Sequence, residues 1–231
     1  MSNLPESVQT ALEVLKTQFP LAIWETVYVT LLSTFFAILI GLPLGVLLVA
    51  GEDGKILRVP RWLLHVLNVV INLLRSVPFL ILMILVFPLT RLIVGTVVGT
   101  PATIVPLVIA AFPFVARLVE GSLREINPNI IETAQSMGAS PLQIIVKVML
   151  PEAVPSLISN ATIAVTTVLG YSAMSGAIGG GGLGQIAITY GYQKYDDQIV
   201  WLCVALTIII VQILQEFGMY IARRTDRRAR T

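Results

Sequence analysis

The sequence predicts an all-α polytopic membrane protein of five transmembrane helices, N-terminus outside and C-terminus inside, and three observations carry that prediction. Hydrophobic residues make up 56% of the 231 positions and charged residues only 12%, where soluble globular chains carry about 25% charged. The mean hydropathy is +0.87. The apolar residues are gathered into blocks long enough to cross a hydrocarbon layer about 30 Å thick, and the basic residues lie between and after those blocks.

Residues 1–20 are expected to form an N-terminal region, and no cleavable signal is evident in it, since Glu6, Glu13 and Lys16 stand where such a signal has a basic start and an apolar run. Leu4, Val8, Leu12, Leu15 and Phe19 share one helical face, so the segment either lies along the membrane surface or is a frayed terminus. The transmembrane domain follows over residues 21–222. Its first apolar block runs from about Leu21 to Val49, with Gly41, Pro43 and Gly45 expected to bend it. The second runs from Trp62 to Pro88 and is interrupted by Arg75-Ser76-Val77-Pro78. The third covers Ala102 to Val119, the fourth Leu150 to Ala173 and the fifth Ile199 to Ile221. Neighbouring helices can satisfy the backbone groups that proline and glycine free in such spans.

Charge sets the direction. Lys55, Arg58 and Arg61 follow the first block, while Arg117, Arg124 and Lys147 bracket the loop of residues 120–150. The tail of residues 223–231 holds Arg223, Arg224, Arg227, Arg228 and Arg230, against only Lys16, Arg91 and Lys194 on the opposite side. The positive-inside rule therefore puts the first loop, the long loop and the tail in the cytoplasm. A turn at Arg75–Pro78 between two full spans would put one basic loop on the wrong side. One long, broken second span is expected instead.

Several classes are excluded. No glycine-rich phosphate loop with Lys-Ser/Thr occurs, so ATP hydrolysis is not expected on this chain. There is no Cys/His cluster for a metal, and basic residues confined to loops do not point to nucleic acid. Cys203 lies in an apolar stretch and is expected to pack. His65 with Ser172 or Ser175 would be the dyad of an intramembrane serine protease, but the serines stand among small residues that also suit close helix packing. A self-sufficient ion- or proton-coupled carrier would need a relay of ionisable residues near the midplane, where Arg75 stands nearly alone.

The most informative segment is the cytoplasmic loop. Pro128 is expected to start a short helix that Gly138 ends, and Ser140-Pro141 to cap and open another running through Lys147 towards Pro151. Ile130, Ile131 and Met137 then form an apolar surface on a chain with no energy source of its own. That suits docking into a groove of a soluble partner; the alternative is a connecting loop lying on the membrane.

Glu132-Thr133-Ala134, three residues, Gly138, then Val148-Met149-Leu150-Pro151 resembles the "EAA" loop of binding-protein-dependent ABC importer permeases. Glu132, Ala134, Gly138, Leu150 and Pro151 match that pattern, with Thr133 and Val148 departing from it conservatively in size. Arg75-Ser76-Val77-Pro78-Phe79 is similar to the Arg-x-x-Pro element of amino-acid permeases. Gly170-Tyr171-Ser172-Ala173-Met174, with the run Gly179 to Gln185, is similar to the methionine-uptake branch. The resemblance implies a multi-pass protein of the bacterial inner membrane, paired with a second copy of itself. It also implies two cytoplasmic ATPase subunits that hold ATP and Mg, and an external methionine-binding protein. Residues 129–140, Ala139 among them, would be the coupling helix seated in the ATPase.

Two expectations concern the path. Arg75 is too costly to face lipid, so it either meets a substrate carboxylate or anchors carbonyls freed by Pro78. Tyr171 and Met174, supported by Ser172 and Ser175, are expected to line a gate, with ordinary core packing as the alternative.

Overall fold

In a computed structural model, which describes residues 16–52 and 56–225, the chain is helical nearly throughout. Of the N-terminal segment expected over residues 1–20, the first fifteen residues lie outside the described ones, as do Lys55 and the tail beyond Thr225. In chain order the helices are α1 (Phe19–Gly51), α2 (Arg61–Ser76), α3 (Phe79–Val94), α4 (Thr100–Arg124) and α5 (Pro128–Ser136). They continue with α6 (Pro141–Ile178), α7 (Gly182–Ile186) and α8 (Asp197–Thr225).

Among these, α1, α4, α6 and α8 are each long and apolar enough to cross a membrane, and the pair α2 and α3 makes a fifth span if counted as one. The break in that pair falls where the sequence places it. Proline cannot donate, and it disfavours the helical region for the residue before it. Val77 is accordingly extended at φ −85°, ψ 126°, and α3 restarts after Pro78, bent by 114° at the break.

The spans run past the expected limits, most of all α6, which is continuous from the loop into the fourth apolar block. Pro151 sits inside that helix, where its ring would crowd the carbonyl four residues back. The chain resolves this with a π-type turn over Ile144–Met149, in which Leu150 N–H reaches Ile145 O, so one helix carries both loop and span.

The residues group into two compact units. One comprises α1 up to Thr34, Pro78–Val108 and Val165–Leu214. Its core is Phe19, Ala22, Leu169, Leu183, Ile186, Ile199, Cys203 and Ile210, so Cys203 packs as expected. The other comprises Phe35–Val77, Ile109–Ala164 and the chain from Gln215. There Leu48, Ile71 and Ala116 are buried together.

In this second unit Gly41 and Gly45 do something the sequence reading did not assign. A Cβ on Gly41 would lie 2.9 Å from Phe112 O, and one on Gly45 2.7 Å from both Ala116 O and Val119 Cβ. They form the seam that lets α1 approach the α4 backbone, as small residues four apart do in membranes. Polar ties complete the unit. Arg117 donates to Asn72 Oδ1 at 2.8 Å and pairs with Glu120, and Arg124 bridges Glu120 and Glu52 at 2.8 and 2.7 Å. Asn160 donates to Ser122 Oγ at 2.8 Å, joining α6 to α4, whereas Asn68 bonds only within its own helix.

Gly45→Leu is expected to overpack this seam, costing about 1–3 kcal/mol or more and lowering the thermal melt. Gly121→Ala, a helix position with open space around the new methyl, is expected to stabilise the fold by about 0.5–1 kcal/mol and so raise the melt. Equal tolerance of both changes in a melting assay would contradict the seam.

Candidate functional site

The loop after α4 builds itself from local chemistry. Ile126 is buried, and Asn127 caps α5, its Oδ1 accepting from Asn129 N–H at 3.0 Å, with Pro128 as first helical residue. Thr133 and Ser136 return their hydroxyls to carbonyls of their own helix, so α5 buries none of its residues. The helix stops because Gly138 is left-handed, at φ +78°. This turns the N–H groups of Met137, Gly138 and Ala139 back onto the carbonyls of Thr133, Gln135 and Ala134. Ser140 and Gln143 then cap α6 reciprocally. Ser140 N–H donates to Gln143 Oε1 at 2.8 Å and Gln143 N–H to Ser140 Oγ at 3.4 Å.

The caps leave a particular surface free. Met137 is 83% exposed and Leu142 70% exposed, with Ile130 and Val146 also open. Ile131, expected on this surface, is half-buried and lines a cavity of about 260 Å³ with Val49, Leu123 and Glu132. Leu142 is a further exposed apolar residue here. Its signal was present in the sequence: counted from Pro141, Leu142 and Val146 share one face at i, i+4, while Ile145 and Met149 share the buried one. Glu132 is exposed and Ala134 half-buried; Ala139 and Leu150 are half-buried, and Pro151 is exposed.

The residues expected at a gate divide. Tyr171 stacks on Phe79, ring centroids 5.0 Å apart and planes 6° off parallel, and Met174 is half-exposed. Ser172 and Ser175 are buried, and their hydroxyls donate to Leu169 O at 2.8 Å and Ser172 O at 2.6 Å. Neither hydroxyl is thus turned to an imidazole, and His65 is exposed on α2. The small residues here serve a contact inside one chain. A Cβ on Gly176 would strike Gln185 N, and one on Gly184 would strike Ala173 O, so α6 and α7 meet backbone to backbone. Arg75, in the last turn of α2, is exposed and bonds to no described residue.

One polar cluster is built from residues far apart in sequence. Glu25 Oε1 accepts from the Thr100 hydroxyl at 2.8 Å, and Oε2 accepts from Gly182 N–H at 2.8 Å. Thr26 Oγ1 accepts from Leu183 N–H at 2.9 Å, and Gln185 Oε1 from Gly181 N–H at 2.8 Å. Gly179, Gly181 and Gly182 all have positive φ, as the turn into α7 requires. The turn is where the glycine run predicts it; the carboxylate that holds it lies 157 residues away and carries no local signal. Beyond α7, Asp196 Oδ1 accepts from Gln198 N–H at 3.1 Å at the start of α8.

The family described as "Binding-protein-dependent transport system inner membrane component" matches residues 37–231. The probable D-methionine transport system permease protein MetI of Vibrio cholerae serotype O1 is 48% identical over 208 residues, 90% of this chain and 92% of that protein. The D-methionine transport system permease protein MetI of Escherichia coli K12 is 48% identical over 154 residues, 67% of this chain and 70% of its own. A chain of the MetNI methionine ABC transporter, solved in inward-facing conformations, superposes with a TM-score of 0.89 at 42% identity, over 97% of this chain and all 100% of that one. A chain of an amino acid ABC transporter solved with histidines, at 18% identity and a TM-score of 0.74, shares the fold.

Gly138→Ala is expected to strain the left-handed turn by about 1–2 kcal/mol. Hydrogen exchange at residues 137–143 should then quicken roughly 5–30-fold, the factor that corresponds to such a loss. Unchanged protection would mean that something other than this cap orders the loop.

Proposed function

Because the chain belongs to the binding-protein-dependent transport system inner membrane component family, we propose that it is the permease subunit of an ATP-driven importer that carries methionine inward across the bacterial inner membrane. The 48% identity to a methionine permease over 90% of this chain supports the substrate. The observation that carries the mechanism is the helix pair around Gly138, capped by its own residues yet holding Met137 and Leu142 out into solvent. An ordered apolar surface that the described residues leave uncovered is what a soluble subunit can grip.

In this reading the chain works as a pair with a second copy of itself. Two ATPase subunits, which hold ATP and Mg, dock at residues 128–142, and an external methionine-binding protein delivers the cargo. Ile130, Met137 and Leu142 make the contact, while Glu132, Ala134, Gly138 and Ala139 shape it. Since α6 is one helix from Pro141 to Ile178, movement imposed at the docking end is passed along it through Leu150 and Pro151 towards Tyr171 and Met174. Those two residues line the gate, and Ser172 and Ser175 hold the helix turn behind them. Arg75 faces water or protein, since a charge in hydrocarbon costs at least about 2.5–3.5 kcal/mol. Closure of the ATPases acts on the spans as rigid bodies, and it does so because ATP binds one conformation better than the other.

The test is reconstitution of the purified complex in proteoliposomes, with binding protein outside and ATP inside. Methionine is expected to accumulate only with hydrolysable ATP, and Met174→Ala to raise hydrolysis in the absence of cargo. Uptake without ATP, driven by an ion gradient, would replace the importer with a self-sufficient carrier. Unchanged hydrolysis and uptake in Met174→Ala would remove the gate.

A further inference from the structure

Beside the clamp on the glycine turn lies a cavity of about 600 Å³, at the end of α1 that the charge distribution places outside. It lies wholly within the first unit. Glu25 lines it, half-buried, and its two oxygens take one neutral donor each, Thr100 hydroxyl and Gly182 N–H. Among the described residues no cation balances it. The ion pairs among the described residues involve Glu52 and Glu120 with Arg117 and Arg124, and no Lys, Arg or His lines the cavity. Lys194, near in sequence, is drawn over the Tyr190 ring at 4.3 Å. A carboxylate that is partly withdrawn from water and lacks a counter-charge attracts a cation.

The rest of the wall has the complementary chemistry. Gln185 spends its carbonyl on Gly181 N–H, and its amide N–H groups have no acceptor among the described residues. The Thr189 hydroxyl bonds to no described residue, and Tyr190 accepts from Gln18 at 2.6 Å, which leaves its own proton to donate. Leu21, Ala22 and Ile186 supply an apolar side. An acceptor carboxylate, a set of uncommitted donors and an apolar wall match, in turn, an ammonium, a carboxylate and an unbranched apolar side chain.

We propose that this cavity is a receiving site for the cargo amino acid in each copy of the chain. The ammonium lies on Glu25, the carboxylate on Gln185, Thr189 and Tyr190, and the side chain along Leu21, Ala22 and Ile186. The proposal rests on the importer reading above, which names the cargo. It also gives the clamp a second consequence. Cargo bound to Glu25 touches the group that holds the turn into α7, so its arrival is felt where α7 packs on α6.

The experiment is equilibrium binding of radiolabelled methionine to the whole complex in nanodiscs, without the external binding protein. Saturable binding is expected, displaced by methionine's decarboxylated amine but not by its deaminated acid. Glu25→Gln should weaken binding by about tenfold or more, the scale of losing a bond to a charged group. Leu21→Trp, at an exposed position outside the core, should fill the cavity and abolish binding while the clamp persists, with thermal melting to confirm that both variants fold. Wild-type affinity in both variants would overturn the proposal. So would Glu25→Gln weakening only the association of the external binding protein, since the cavity would then take a cation of that protein. If the wild-type complex imports methionine with ATP yet binds none in this assay, the receiving site falls and the importer stands. If it imports none, the importer reading falls first.

Discussion

Every backbone N–H and C=O within the hydrocarbon layer must find its partner inside the protein, because an unpaired group there costs several kcal/mol. Helix is the default answer, and the places where this chain leaves regular helix show how strictly the rule is met. At Pro151 the missing donor is absorbed by a widened turn, with Leu150 N–H on Ile145 O. At the glycine turn each freed donor is met individually. Gly180 N–H goes to Ser175 O, Gly181 N–H to Gln185, Gly182 N–H to Glu25 and Leu183 N–H to Thr26. The first span therefore supplies side-chain acceptors for a turn that lies 157 residues further on. That single constraint explains both the charged residue in an apolar block and the glycines facing it.

The same accounting distinguishes the loop from the spans. In α5 and the start of α6 the caps are short-range: Asn127 for one helix, Ser140 with Gln143 for the other, and Gly138 between them. A segment ordered by its own neighbours does not need a buried face, and α5 has none. It is free to present Met137 and Leu142 to another protein. The spans instead gain order by close approach, Gly41 and Gly45 against α4, Gly176 against α7. Order is local where a partner must bind and tertiary where lipid must be excluded.

Legibility in the sequence follows that division. Spans, direction and loop caps are all set by residues within a few positions of one another, so hydropathy, basic residues and the Ser-Pro and Gly signals reveal them. The break at Val77-Pro78 is equally local. What the sequence hid was set by packing. Gly41 and Gly45 read as a bend, since nothing nearby announces that α4 lies against them. Small residues near Ser175 read as close helix packing without naming the partner, which is local: Gly176 and Ala173 meet Gly184 and Gln185. Glu25 gives no local signal of its role because its partners are distant in sequence. Ile130 and Ile131 differ in exposure for a simpler reason: adjacent helical residues point in different directions.

The central claim is that the self-capped helix pair is where an ATPase grips this permease. The measurement that tests it most directly is affinity purification of the tagged chain from its own membranes in mild detergent, comparing wild type with a Met137→Asp, Leu142→Asp double variant. Both side chains are largely exposed, so the folded permease should be recovered in equal amount. A stoichiometric ATPase subunit accompanying the wild type and absent from the double variant is the predicted result. An ATPase retained by the double variant would show that the grip lies elsewhere.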